Sequence, residues 1–297
     1  MMMTSVTCHL HRPEGRRVAV HDLTPGAPAD APVVLMCHAA PGSGSFDPDP
    51  AETAGRGIRL IAPDRPGYGG SDPMGDGAFA TVETAADDAA AVLESFLAPG
   101  ATAAVAGWSA GGRVGLALAA RRPELVSRVA VIGTPAPDED VPWIPDEKRA
   151  GVEALRGAPA AVAHEALGAA FGPMLAALAG DARFGLVLID EVDGPVLAEP
   201  GVADRVRAML DAALAQGGAG MVADIVGYTL RPWGFDPADV TASVLLGYGS
   251  ADAIGHAHGA WWQRALPDAR LEMVPATGHL VVVPFWNQVL AHLVPRG

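Results

Sequence analysis

The sequence predicts an α/β fold: a mostly parallel central sheet with helices on both faces, plus a helical insertion. Three observations carry that prediction. Short apolar runs alternate with helix-spaced stretches through residues 1–134 and again through 241–297. Between them, residues 135–240 lose their strand signals and read as helices separated by Gly and Pro. Polar, Gly- or Ser-bearing loops follow the apolar runs, where open parallel sheets place their chemistry.

The elements follow in order. Residues 5–11 and 17–22 read as two short strands joined by a turn at Pro13-Glu14-Gly15, and Pro25 to Pro32 is a loop. The continuous apolar run 33–37 (VVLMC) reads as a central strand, followed by the loop His38 to Ser45. A buried strand at 58–62 closes on DRPGYGGSD at 64–72. Residues 80–97 form an amphipathic helix, with Val82, Ala85, Ala89, Val92 and Phe96 at core spacing. The small apolar strand 102–107 (TAAVAG) runs into a helix over 110–122 that ends in two arginines before Pro123. Strands follow at 127–132, 243–248 and 270–274, and a last helix at 279–293.

Composition narrows the classes of function. The 297 residues are 50% hydrophobic, enough for one large core. A net charge of −14 repels phosphate backbones, so nucleic acid is not an expected partner. The two cysteines, Cys8 and Cys37, read as small buried hydrophobes rather than a disulfide framework. No run approaches the length of a membrane span, and the N-terminus lacks a signal-peptide core. The expectation is a cytoplasmic protein acting on a small molecule, with no membrane partner and no signal for oligomeric state.

Chemistry concentrates at Gly107-Trp108-Ser109-Ala110-Gly111. A G-x-S-x-G between a buried strand and a helix is a nucleophile elbow, whose turn leaves room only for small residues on either side of the serine. A serine hydroxyl needs a base, and the base needs an orienting acid. The loop after 243–248 carries Asp252, and the loop after 270–274 carries His279. Ser109, Asp252 and His279 thus each fall just beyond a strand, in the chain order this architecture uses. The oxyanion needs fixed donors: the Ala110 N–H, and one from the loop after 33–37, assigned to Ala40.

These segments together resemble the α/β-hydrolase fold across nearly the whole chain. HAAPGS at 38–43 is similar to the HGxPG oxyanion loop, and DRPGYGGSD to the DRxGxGxS segment. GWSAGG and Gly278-His279-Leu280 match the elbow and the histidine. Ala39 departs from the usual glycine, and a positive φ there would strain it. The resemblance implies a core of residues 1–134 and 241–297 and a cap of residues 135–240. It also offers Asp138 as a rival acid, since some relatives carry the acid there. Ser109 in place of Asp disfavours dehalogenase and epoxide hydrolase chemistry.

Other polar residues have plainer expectations. His256 and His258 read as surface residues at a helix entry rather than a metal pair, and His38 as a hydrogen-bonder that holds the oxyanion loop. Asp64 and Arg65 are expected to tie loops together near the site. Within the insertion, Trp143, Phe171, Met174, Phe184, Tyr228, Trp233 and Phe235 supply a local core. His38, Trp108, Trp143, Phe171 and Trp233 are the candidate substrate contacts. The expected activity is cofactor-free, metal-free hydrolysis of a small apolar ester or lactone through an acyl-enzyme. Acyl transfer or cyclisation, perhydrolysis, carbon–carbon bond hydrolysis and ligand binding without turnover stay open.

Overall fold

The computed structural model describes residues 6–75 and 77–295. Its sheet has the order β1-β2-β4-β3-β5-β6-β7-β8. The strands are β1 (Val6–His11), β2 (Arg17–Asp22), β3 (Val33–Cys37), β4 (Arg59–Pro63), β5 (Ala103–Trp108), β6 (Val126–Ile132), β7 (Ser243–Gly249) and β8 (Ala269–Val274). Strands β1 and β2 pair antiparallel, and β2 pairs antiparallel with β4. Every pairing from β4 through β3 to β8 is parallel.

Alternation along the strands divides the core. Val105, Val129 and Val131 face one apolar cluster, and Ala104, Ala106, Ala130 and Ile132 face the other. The first cluster is covered by α2 (Val82–Phe96), α3 (Ala110–Arg121) and α9 (His256–Ala265). The second is covered by α10 (Trp286–Leu293), with α1 (Pro50–Arg56) beside it. The sequence reading assigns no element to residues 46–57, where α1 lies; its cap is nonetheless explicit, with Asp49 accepting from the Ala51 and Glu52 amides.

Between β6 and β7 the described residues form only helices: α4 (Asp146–Leu155), α5 (Ala160–Ala177), α6 (Gly194–Leu197), α7 (Val202–Ala213), α8 (Ala219–Leu230) and short 3-10 turns. Helix α8 lies hard against the loop between β4 and α2. A Cβ at Gly220 would meet the Tyr68 ring at 2.6 Å, and one at Gly227 would collide with the Ala80 carbonyl oxygen. These glycines are seven residues apart on one helix face, so the backbones touch where side chains would hold them apart.

Several expectations change. Cys8 is exposed rather than buried, because β1 is an edge strand; Cys37 is buried, and burial raises its thiol to about 12. The helix expected over 279–293 is a 3-10 turn at His279–Val282 followed by α10, because Pro284 between them has no N–H to donate. Helix α5 is 18 residues long with a mean hydropathy of 1.2, long and apolar enough to cross a membrane by length and composition. Its many alanines raise hydropathy without bulky side chains, which is why no run stands out by eye. Residue 5, placed in the first predicted strand, and the first five residues of the N-terminal segment read for a signal peptide lie outside the described residues.

Candidate active site

The end of β5 sets the centre of the site. Ser109 adopts φ 54° and ψ −122°, a region few non-glycine residues occupy. Its neighbours make the turn possible. A Cβ at Gly107 would meet the Gly111 carbonyl oxygen at 2.5 Å, and one at Gly111 would collide with the Cys37 carbonyl oxygen. Helix α3 therefore starts directly under β3, and Ser109 stands at its N-terminus, 7% exposed. Thr134 Oγ1 donates to the Ser109 carbonyl oxygen at 2.8 Å and pins the elbow to the end of β6.

Three side chains meet there. The Ser109 hydroxyl lies 2.9 Å from His279 Nε2, and His279 Nδ1 lies 2.8 Å from Asp252 Oδ2. His279 and Asp252 are buried side chains on the loops after β8 and β7. Trp108 Nε1 donates to the His279 carbonyl at 3.0 Å, and its ring lies 6.1 Å from the imidazole. Trp108 is fully buried, so it supports the histidine loop from below rather than facing a substrate. Asp193, from the insertion, accepts from the Leu280 amide at 3.2 Å and holds the same loop from the other side.

Asp138 is occupied elsewhere. Its carboxylate accepts from the Trp143 and Ile144 amides at 2.7 Å each and pairs with Arg149. The two histidines of 256–258 do not face the surface together: His258 is buried, with Nδ1 accepting from the Ala136 amide at 3.0 Å. Among the described residues no cluster of His, Cys, Asp and Glu could hold a metal ion.

The loop after β3 is fixed by charge. The Arg65 amide donates to His38 Nε2 at 3.1 Å, and His38 Nδ1 donates to the Ala39 carbonyl at 2.7 Å. The imidazole is therefore neutral; burial, then the Arg65 charge, push its pKa well below 6.5. Arg65 donates to the carbonyl oxygens of His38 and Ala39 at 2.5 and 2.8 Å. Ala39 does not take a positive φ, so alanine carries no strain there. The amides of Ala40 and Ala110 have no partner among the described residues and remain available as donors.

Asp64 anchors the other side of this loop. It accepts from Ser43 Oγ, the Gly44 amide and the Gly70 amide, and pairs with His21 at 2.9 Å. Burial alone would raise its pKa, but the His21 bond and charge outweigh that and hold it at about 2. Trp143 and Trp233 lie beside Tyr228 where the helical segment meets α9, and they line a cavity of about 390 Å³. Phe171 packs inside the insertion with Val222, Val226 and Met221. Besides Thr134 and Asp193, two buried charged residues escaped the sequence reading. Asp224 in α8 pairs with Arg65, and Arg113 in α3 is a buried cation. Arg113 did leave a signal, an arginine inside the otherwise apolar start of α3.

The comparisons agree with this architecture. The profile described as "alpha/beta hydrolase fold" matches residues 32–284. No curated relative matches the chain. Among solved structures, a bromoperoxidase from Bacillus anthracis superposes with a TM-score of 0.67 at 19% identity, covering 99% of this chain and 100% of that one. An esterase from a Rhodococcus species gives 0.65 at 20%, covering 99% and 100%. An enol-lactonase from Burkholderia xenovorans gives 0.60 at 20%, covering 97% and 98%. At these identities the likeness is one of fold.

Proposed function

The chain belongs to the alpha/beta hydrolase fold family and is a hydrolase of that fold; from that premise we propose that it cleaves a carboxylic ester or lactone through an acyl-enzyme on Ser109. The carrying observation is the unbroken chain Ser109 Oγ to His279 Nε2 at 2.9 Å and His279 Nδ1 to Asp252 Oδ2 at 2.8 Å.

Ser109 Oγ attacks the substrate carbonyl carbon as His279 Nε2 takes the hydroxyl proton. Asp252 keeps Nδ1 protonated and stabilises the imidazolium that forms. The carbonyl oxygen becomes an oxyanion, and the Ala40 and Ala110 N–H groups stabilise it. Collapse expels the alkoxide, which takes the proton from His279. Water then attacks the acyl-enzyme carbonyl, with His279 as base, and releases the acid and Ser109. For a lactone the leaving hydroxyl stays on the acyl chain. In this reading residues 135–240 act as a cap over the strand ends, and no cofactor enters any step.

Incubation with a fluorophosphonate followed by peptide mass analysis tests the nucleophile. The expected result is one adduct, on Ser109, lost in His279→Ala. Absence of a Ser109 adduct in the unaltered protein contradicts the reading.

A further inference from the structure

The turn that carries His279 has no cap of its own. It spans His279–Val282, and the residue before it is Gly278, which has no side chain to accept from the first amides. Those amides have no acceptor inside the turn, and the Leu280 amide is one of them. Asp193 supplies the missing acceptor from 87 residues away, its Oδ1 accepting from the Leu280 amide at 3.2 Å.

The fit is reciprocal. A Cβ at Gly278 would meet Asp193 Oδ2 at 2.7 Å, and its Cγ and Oδ1 at 2.8 Å. The carboxylate therefore fills the room that a capping side chain would occupy. Asp193 also stands directly before α6, where an aspartate ordinarily caps its own helix. Here its backbone is helical, with φ −81° and ψ −3°, and its side chain makes no capping bond to α6. The carboxylate turns away to the Leu280 amide instead.

That placement is costly to keep. Asp193 is fully buried, and its Oδ2 has no hydrogen-bond partner among the described residues. Burial pushes its carboxyl up, against the Leu280 bond and the nearby His279 ring. Apolar packing holds it in place: Ile189 and Val196, on either side in the chain, share one cluster with Leu280, Val281 and Val282. The start of the turn is tied to the sheet, where Trp108 Nε1 donates to the His279 carbonyl at 3.0 Å and the Ala251 amide to the Thr277 carbonyl at 3.0 Å. Its amide face is tied by Asp193.

We propose that Asp193 is a positioning residue: it caps the His279 turn in place of a side chain at Gly278, so that the imidazole meets Ser109 and Asp252 only while the segment around Asp193 is seated. This inference rests on the acyl-enzyme reading above. The imidazole spans bonds of 2.9 and 2.8 Å, and a misplacement of about 1 Å in such a geometry costs on the order of 10²-fold in rate.

Two kinds of readout test it. In Asp193→Ala, kcat for a p-nitrophenyl ester is expected to fall tenfold or more, with KM within threefold. Asp193→Asn, which keeps an acceptor, should stay within threefold in kcat. Asp193→Ala/Gly278→Ser, which puts a hydroxyl at the capping position, should recover at least threefold over Asp193→Ala. The second readout needs no turnover. Hydrogen exchange of the Leu280 amide should quicken tenfold or more in Asp193→Ala, and the downfield Nδ1 proton resonance of His279, which reports its bond to Asp252, should be lost. Both should return in Asp193→Ala/Gly278→Ser. If Asp193→Ala does not fold, Gly278→Ala, whose Cβ displaces the carboxylate, takes its place with the same expected losses. A kcat within threefold in Asp193→Ala, a loss confined to KM, or an equal loss in Asp193→Asn overturns the inference and leaves ester hydrolysis intact. No ester turnover by the unaltered protein contradicts the hydrolytic reading instead. The exchange rate and the Nδ1 resonance then decide the inference, and either one unchanged in Asp193→Ala overturns it.

Discussion

Arg65 and Asp224 form a buried side-on pair that joins the loop after β3 to helix α8. Arg65 Nε and Nη2 reach Asp224 Oδ2 at 3.0 and 2.6 Å, and the same guanidinium donates to the His38 and Ala39 carbonyls at 2.5 and 2.8 Å. One cation thus orients the loop that presents the Ala40 amide and fastens it to the insertion. Removing one partner of a buried pair leaves the other charged and unsatisfied, at a cost of about 3–5 kcal/mol. Asp224→Ala should lower stability by about 3 kcal/mol or more and lower kcat more than it raises KM, because oxyanion donors act in the transition state. Denaturant unfolding and steady-state kinetics check both. A kcat unchanged beside lost stability would make the pair a brace alone.

Hydrogen bonding separates the two candidate acids. Asp252 meets His279 Nδ1, while Asp138 meets two amides and Arg149. Asp252→Asn should cost about 10³–10⁴-fold in kcat, as a wrong-tautomer effect, with the fold retained. Asp138→Asn should leave kcat within a few-fold while loosening the 138–149 segment. Reversal of these two results would exchange the assignments.

Gly111 tests the elbow sterically. A Cβ there runs into the Cys37 carbonyl, which belongs to the sheet and has no freedom to yield. Gly111→Ala should lose activity and lower Tm. Gly151, in exposed helix α4 with open space around it, is the control, and Gly151→Ala should stabilise by about 0.4–1 kcal/mol. Thermal melts of the two variants should move in opposite directions.

His38 makes stability fall in acid. Its folded pKa is depressed well below 6.5, so the unfolded chain binds the proton first. Stability from this group is complete above about pH 6.5 and is lost as pH falls below it, at up to about 1.4 kcal/mol per pH unit. His258 and His292, also depressed by burial, act in the same direction. His38→Gln should flatten the slope of stability between pH 6.5 and 5 without removing it. An unchanged slope would mean that His38 titrates normally in the folded protein.

Legibility in the sequence followed the range of the interactions. Ser109, Asp252 and His279 could be found because each sits one or a few residues beyond an apolar strand, and the strands announce themselves locally. Asp224 could not, because its significance comes from Arg65, 159 residues away in the chain, and a single acid in an apolar helix has no partner written beside it. Trp108 was misplaced for a related reason. Its position next to Ser109 suggests a wall of the site, while strand alternation turns its ring down into the core against Phe46. Cys8 was misplaced because apolar neighbours signal a strand but not whether that strand is an edge.

The central claim is acyl transfer to Ser109. The direct test is stopped-flow release of p-nitrophenol from esters of acetyl to long acyl chain length, with Ser109→Ala in parallel. The account predicts Ser109-dependent release, and a burst of about one equivalent per chain wherever deacylation is the slower step. No release above the Ser109→Ala background on any ester would contradict it.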